Sequence, residues 1–293
     1  MLLYWKPVAN QIKDQQKKLV SEYFPDTDKY MAILFFWDNI SSKVYVSHKQ
    51  KYWEEIGLLT KVFWQKEWEQ WNKNNIFELI NDLNNDNSCI WIMVQLPLPE
   101  YLSWYKNEIL SMITPSKDVD GLWWTLVWKS FFDMISFMPA TPKAVMFLLD
   151  YYNLWDLRNK KVAIIWQSTI VGKPLALECL KRKAQIACFD VDNTTWEIKS
   201  YTKNADYIFS ATWQTHLIDE TYIGENGNQI VIDIWYGHKD GKAVWDVNFE
   251  KVEKKVQHIT PVPWGVWPLT IAALFSNVLD LWKEFHIKTT SFS

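Results

Sequence analysis

Tyr45 and Lys49 stand four residues apart in VYVSHKQKYWEEIGL, a spacing that puts both on one face of a helix. A lysine acts as a general acid or base only when its surroundings weaken its hold on the proton. The plain alternative is a solvated ammonium beside a packed ring. Gln95 follows an apolar run in VQLPLP, at the C-terminal end of a strand, the edge where open α/β sheets bind ligands. SKDVDGL holds Asp118 and Asp120 beside a Gly in a loop, for which the plain alternative is an ordinary acidic turn. IIWQSTIVGKP runs from strand through turn to helix. Alone, that segment is a weak signal. PVPWGVWPLT, with Val262, Pro263 and Gly265, completes the series.

These residues need elements to hold them. An amphipathic helix is expected over 6–23, a buried strand over 31–37, and a helix over 42–57. A strand over 89–99 runs into a Pro-stiffened loop, and a helix follows over 100–112. After a loop at 113–138, a helix over 139–152 begins near prolines. KKVAIIW (160–166), AQIACFD (184–190), DYIFSAT (206–212) and QIVIDIW (229–235) read as strands, and QSTIVGKPLALECLKR turns into a helix. A last apolar helix spans 269–285. Strands alternating with helices imply an α/β fold with parallel sheets, the second half being Rossmann-like.

Composition bounds the function. A length of 293 residues suits one large or two medium domains. A net charge of -3 gives no reason to expect nucleic acid or a membrane surface as partner. The start lacks a signal-peptide pattern, and no apolar run is long enough to span a bilayer. Cys89, Cys179 and Cys188 form no CxxC or Cys/His cluster, so no metal site is expected. Sparse, odd cysteines suit a reducing cytoplasm.

Taken in order, YVxxKxK, QLPLP, KDVDG, PxTP, the 166–174 turn and the 261–268 segment resemble the bifunctional methylenetetrahydrofolate dehydrogenase/methenyltetrahydrofolate cyclohydrolase family over nearly the whole chain. The resemblance implies oxidation of 5,10-methylenetetrahydrofolate with NAD(P)+ and hydrolysis of the methenyl product to 10-formyltetrahydrofolate, steps of one-carbon metabolism. It implies a folate-binding catalytic domain over 1–138 with 268–293, and an NAD(P)-binding Rossmann domain over 139–267. Lys49 would be the central acid/base, oriented by Gln95. Tyr45 would stack on the aminobenzoyl ring, and Asp120 would accept from the pterin N–H groups, with Asp118 structural. Leu96, Pro97, Pro263 and Gly265 would border the folate. Thr141, Trp166, Gln167, Ser168, Thr169, Ile170, Gly172, Asp190 and Ile234 would border the cofactor, with Pro142 beside Thr141. Relatives are homodimers, and the same is expected here.

Two departures bear on the cofactor. Gln167 stands where the family commonly has Arg, and Phe189-Asp190 where relatives often have His-Ser. An acid at the end of that strand suits a free ribose 2′-hydroxyl and repels a phosphate, which favours NAD over NADP. In the alternative, Asp190 caps a turn and Lys173 or Arg182 meets the phosphate.

The chain holds 20 Trp and only 8 Gly, whereas an average chain of this length holds roughly 20 Gly. At Trp5, Trp37, Trp91, Trp128, Trp166, Trp213, Trp235, Trp245, Trp264 and Trp267 the family pattern typically carries Gly. Turns that need positive φ tolerate Gly and not a bulky residue. The expected cause is a UGA codon that the source cell reads as Gly and the written sequence as Trp. Were the Trp residues literal, indole rings would crowd the dinucleotide cleft, leaving a cyclohydrolase-only or inactive folate-binding relative.

Overall fold

The computed structural model describes residues 1–25, 28–36, 40–64, 71–120, 130–132, 137–235, 237–239, 242–262, 265–266 and 268–284. The chain divides into two compact units, Ile12–Met138 with Leu274–Ser293, and Met1–Gln11 with Pro139–Ala273.

The first of these units is built on a three-stranded parallel sheet of β1 (Tyr30–Phe35), β2 (Leu59–Trp64) and β3 (Cys89–Val94), in the order β2-β1-β3. β1 and β3 are buried along their whole length, as their unbroken apolar runs require. β2 lies at the edge and alternates in exposure, with polar Thr60 and Lys61 among its residues. That mixed run is why a sequence reading passes over it. The helix Lys73–Asn85 was also not anticipated. Its Ile76, Ile80 and Leu83 share one face and pack against Ala32, Leu34, Ile92 and Val94. Asn72 caps its start, accepting from the N–H groups of Asn74 and Asn75. The single helix expected over 100–112 is two, Glu100–Ser103 and Lys106–Ser111. Tyr105 between them leaves helical geometry at φ -94°, ψ 3°.

The second unit carries β4 (Lys161–Ile165), β5 (Gln185–Phe189), β6 (Tyr207–Ser210) and β7 (Ile230–Asp233), a short hairpin of β8 (Gly237–Lys239) and β9 (Lys242–Val244), and β10 (His258–Ile259). Its parallel five-stranded sheet runs β10-β7-β6-β4-β5. From β4 the chain adds strands first on one side and then on the other. The crevice at the C-terminal ends of β4 and β6 is therefore the switch point at which doubly wound sheets bind ligands. The helix Gly172–Lys181 begins after a turn at 167–171. A further helix, Thr195–Thr202, opens on a capping box between Thr194 and Glu197. The Thr-x-x-Glu spacing was a legible signal for it. No helix among the described residues is long and apolar enough to cross a membrane.

Candidate active site

Lys49 lies in the helix Ile40–Ile56 and is only 5% exposed. Its Nζ donates to Gln95 Oε1 at 3.1 Å and to Met93 Sδ at 3.2 Å. Gln95, 7% exposed, follows the end of β3, and its main-chain N–H is tied to Leu34 O at 2.9 Å. Its amide donates onward to Leu96 O at 2.6 Å, so the oxygen faces Lys49. Burial lowers the Lys49 pKa to about 8, and the nearby Asp120 carboxylate opposes that fall. Burial raises the Asp120 pKa, with Lys49 opposing. The amine is thus brought close to the range in which it can both take and give a proton near neutral pH. Tyr45 lies one turn earlier in the same helix; its side chain is outside the described residues.

The KDVDG loop reaches this group by an anchor that sequence reasoning missed. Lys117 Nζ donates to the carbonyls of Leu83, Asn84 and Asp86 at 2.8, 2.8 and 2.9 Å. These are orphan acceptors at the C-terminus of the helix Lys73–Asn85. Ile92 N–H donates to Lys117 O at 2.8 Å, and Asp118, buried, forms a parallel bridge with Ile92. The loop is so docked on β3, two residues before Asp120. Replacing Lys117 by Met is expected to cost about 1–3 kcal/mol, since a charged donor leaves three part-buried carbonyls. Chemical denaturation checks it, and an unchanged midpoint would refute the anchor. Leu96 and Pro97 continue from Gln95 through a cis peptide bond, Leu96 half-buried and Pro97 exposed.

At the second unit's switch point, Trp166 N–H donates to Phe189 O at 2.8 Å. Trp166 has φ +87° and Trp213, after β6, has φ +64°, the left-handed region that favours Gly. Ser168 Oγ accepts from the N–H groups of Val171 and Gly172 at 3.2 and 3.4 Å, closing the turn, while Thr169 and Ile170 point to solvent. A Cβ at Gly172 would meet Trp166 O at 2.0 Å, so only Gly allows this turn to fold onto the helix. The turn, the helix start and the open strand ends form a cradle that a dinucleotide phosphate fits. Gln167 Nε2 donates to Cys188 O at 3.3 Å. Asp190 follows β5, and its Oδ1 accepts from Val191 N–H at 2.8 Å while Asn193 Oδ1 caps its own N–H at 2.8 Å. Arg182 is committed elsewhere, to Asp150 at 2.7 Å and Glu178 at 3.1 Å. It follows the C-terminus of the helix Gly172–Lys181, away from the strand ends, which removes it as a phosphate partner. Lys173 remains, exposed in the helix's first turn.

Ile234 is buried past β7, its N–H bound to Ser210 O at 2.9 Å. Thr141 and Pro142 stand in the first turn of the helix Ala140–Tyr151. Gly265 has φ +47°, and a Cβ there would lie 2.9 Å from Asp233 O. Pro263, with Trp37, Trp128, Trp264 and Trp267, lies outside the described residues. The objection to literal indoles is local. Trp91, in β3, is fully buried with edge contacts to Phe24 and Trp282 at 5.1 and 6.3 Å, and its backbone conformation is ordinary strand.

A buried lysine with a lowered pKa in one α/β unit and a dinucleotide-type switch point in the other define a two-domain enzyme of the dehydrogenase class. The tetrahydrofolate dehydrogenase/cyclohydrolase catalytic domain matches residues 3–120, and that family's NAD(P)-binding domain matches 139–286. The chain is 35% identical to the bifunctional protein FolD of Mesoplasma florum over 98% of both chains. It is 36% identical to that of a Sulfurihydrogenibium species, over 97% of this chain and 98% of the other. The crystal structure of the bifunctional FolD enzyme from Campylobacter jejuni superposes with a TM-score of 0.89 at 36% identity, covering 97% of this chain and 99% of that one. The chain belongs to the tetrahydrofolate dehydrogenase/cyclohydrolase family. It is an enzyme with two activities, a methylenetetrahydrofolate dehydrogenase that uses NAD(P)+ and a methenyltetrahydrofolate cyclohydrolase.

Proposed function

We propose that Lys49 is the acid/base of this enzyme, and the observation that carries the reading is its buried ammonium, held by Gln95 and Met93 near the Asp120 carboxylate, with a pKa lowered to about 8. In hydrolysis the neutral amine takes a proton from the water attacking the methenyl carbon. The ammonium then returns it to the folate nitrogen whose bond to that carbon breaks, while the remaining hydroxyl proton leaves to solvent and the formyl group stays on the other nitrogen. Gln95 fixes the direction of the Lys49 lone pair. Asp120 accepts from the pterin N–H groups, and Tyr45, Leu96, Pro97, Pro263 and Gly265 border the folate. Bound NAD(P)+ supplies the hydride acceptor. The chain's part in that step is positioning, by Trp166, Gln167, Ser168, Thr169, Ile170, Gly172, Asp190, Ile234 and Thr141. On this reading residues 1–138 with 268–293 form the folate-binding catalytic domain and 139–267 the cofactor domain.

Asp120→Asn tests the coupling. A nearby negative charge stabilises the ammonium and holds the Lys49 pKa up, so its loss is expected to move the rising limb of the cyclohydrolase pH profile to lower pH and to raise the folate KM. An unmoved limb would separate Asp120 from Lys49.

NAD+ is favoured over NADP+. Asp190 directly follows β5 with a carboxylate that accepts from ribose hydroxyls and repels a 2′-phosphate, and Gln167 brings no charge to offset it. A dehydrogenase kcat/KM several-fold higher with NAD+ is expected, and a strong NADP+ preference would overturn the assignment. The NADP-complexed relative from Trypanosoma brucei, at 25% identity and a TM-score of 0.87, shows that the other cofactor occurs within this fold. Two copies of the chain pair as a homodimer in the cytoplasm, without nucleic acid or membrane partners. Edge strand β5 with half-exposed side chains, three free cysteine thiols and a small net charge support that assignment, and light scattering measures the mass.

A further inference from the structure

The loop after β6, Ala211–Gln214, lies at the switch point and carries Trp213 at positive φ. A loop with so little regular structure needs something to hold its main chain. That something is Asp246, a fully buried carboxylate. Its Oδ2 accepts from Ser210 Oγ at 2.9 Å and from the Thr212 N–H, and its Oδ1 accepts from the Gln214 N–H at 3.2 Å. Asp246 is itself held from the other side. Ile218 N–H donates to Asp246 O at 3.0 Å, His216 N–H to Trp245 O at 2.9 Å, and Asn248 N–H to Ile218 O at 2.8 Å. The main chain around Asp246 is thereby stitched to 216–218. Its neighbour Val247 donates to Asp233 Oδ2 at 2.8 Å, at the end of β7. Ala211 N–H reaches Ile165 O at 3.2 Å at the end of β4, and Ile234 N–H reaches Ser210 O at 2.9 Å. The carboxylate therefore sits beneath the strand ends that form the crevice, taking donors from both sides of the loop.

We infer that Asp246 is a positioning residue for cofactor binding, fixing the Ala211–Gln214 main chain against the NAD(P)+ crevice through its three accepted hydrogen bonds. The inference rests on the cofactor occupying the β4/β6 switch point. A carboxylate suits the task because both oxygens only accept. Asparagine keeps the size but turns an amide N–H2 toward at least one N–H donor, so the loop must shift. Hydrogen bonds to an ionised acceptor are stronger than those to a neutral amide. Burial raises the pKa of both Asp233 and Asp246, and the neighbouring Asp246 carboxylate raises that of Asp233 further. The donors from Ser210, Thr212 and Gln214 oppose that rise at Asp246 by favouring its charged form.

Asp246→Asn in the full-length enzyme is the test, with the cofactor KM and kcat of the dehydrogenase read beside the cyclohydrolase rate, which needs no cofactor. The expected result is a cofactor KM at least tenfold higher, a smaller change in kcat, and a cyclohydrolase rate within twofold of the parent. A purely structural role would move both activities together, and either that result or an unchanged cofactor KM would overturn the inference. Ser210→Ala removes a single donor and serves if the first variant does not fold. It is expected to raise the cofactor KM two- to fivefold with hydrolysis unchanged, and no rise would overturn the inference equally. The parent's own NAD+ saturation curve, measured alongside, tests the cofactor reading apart from Asp246.

Discussion

Replacing Lys49 by Met is expected to lower the cyclohydrolase rate by about 10³-fold, within the range that general acid–base groups contribute, while the protein stays folded. Stability is expected to rise. A lysine whose pKa falls from 10.5 to about 8 on folding binds its proton less well in the folded state than in the unfolded chain. The folded state is penalised at neutral pH, and the penalty fades as pH rises from about 8 to 10.5. At 1.36 kcal/mol per pK unit, the burial costs on the order of 3 kcal/mol near pH 7. Met93 and Gln95, which hold the ammonium, leave a slot that an unbranched thioether can fill. A higher melting temperature combined with lost hydrolysis would separate catalysis from folding in one variant. The dehydrogenase, which depends on positioning, is expected to suffer less. Hydrolysis at the parent rate in Lys49→Met would refute the assignment.

The second large effect is expected at Trp166. A non-glycine residue held at φ +87° carries strain of about 1–3 kcal/mol. Trp166→Gly is expected to recover most of that and to tighten cofactor binding, because the turn it opens borders the phosphate cradle closed by Ser168 and Gly172. Cofactor titration and thermal melting of the two forms check this. Weaker cofactor binding by the Gly form would contradict it. The same reasoning gives an expected result for the protein from its source cells, where peptide sequencing should return Gly at positions 166 and 213. With all 20 Trp as Gly the chain would hold 28 Gly in 293 residues, about 9.6%, ordinary beside an average near 7%. Trp91 gives no such leverage, since its strand geometry and aromatic neighbours accept an indole.

The site was more legible than the scaffold around it. Lys49, Gln95 and Asp120 lie far apart in sequence, yet each sits in a short motif, and Gln95 directly follows the end of β3, the kind of place where α/β folds gather chemistry. The buried strands β1, β3, β4, β6 and β7 announced themselves by unbroken apolar runs. Edge strand β2 and the helices Lys73–Asn85 and Thr195–Thr202 did not, because mixed polarity reads as loop unless capping residues such as Asn72 and Thr194 are weighed. The break at Tyr105 has no sequence signal of the Gly or Pro kind. Lys117 and Asp246 act through main-chain groups brought together by folding, and a side chain's main-chain partners cannot be read from spacing.

The pH dependence of kcat/KM for methenyltetrahydrofolate hydrolysis, corrected for the spontaneous reaction, tests the role of Lys49 most directly, because it reports the free enzyme's essential base. The expected curve rises with pH and levels off above about 8, the value to which burial brings Lys49, and the rise is absent in Lys49→Met. An enzymatic rate that is flat across that range, or a rise that persists in Lys49→Met, would contradict it.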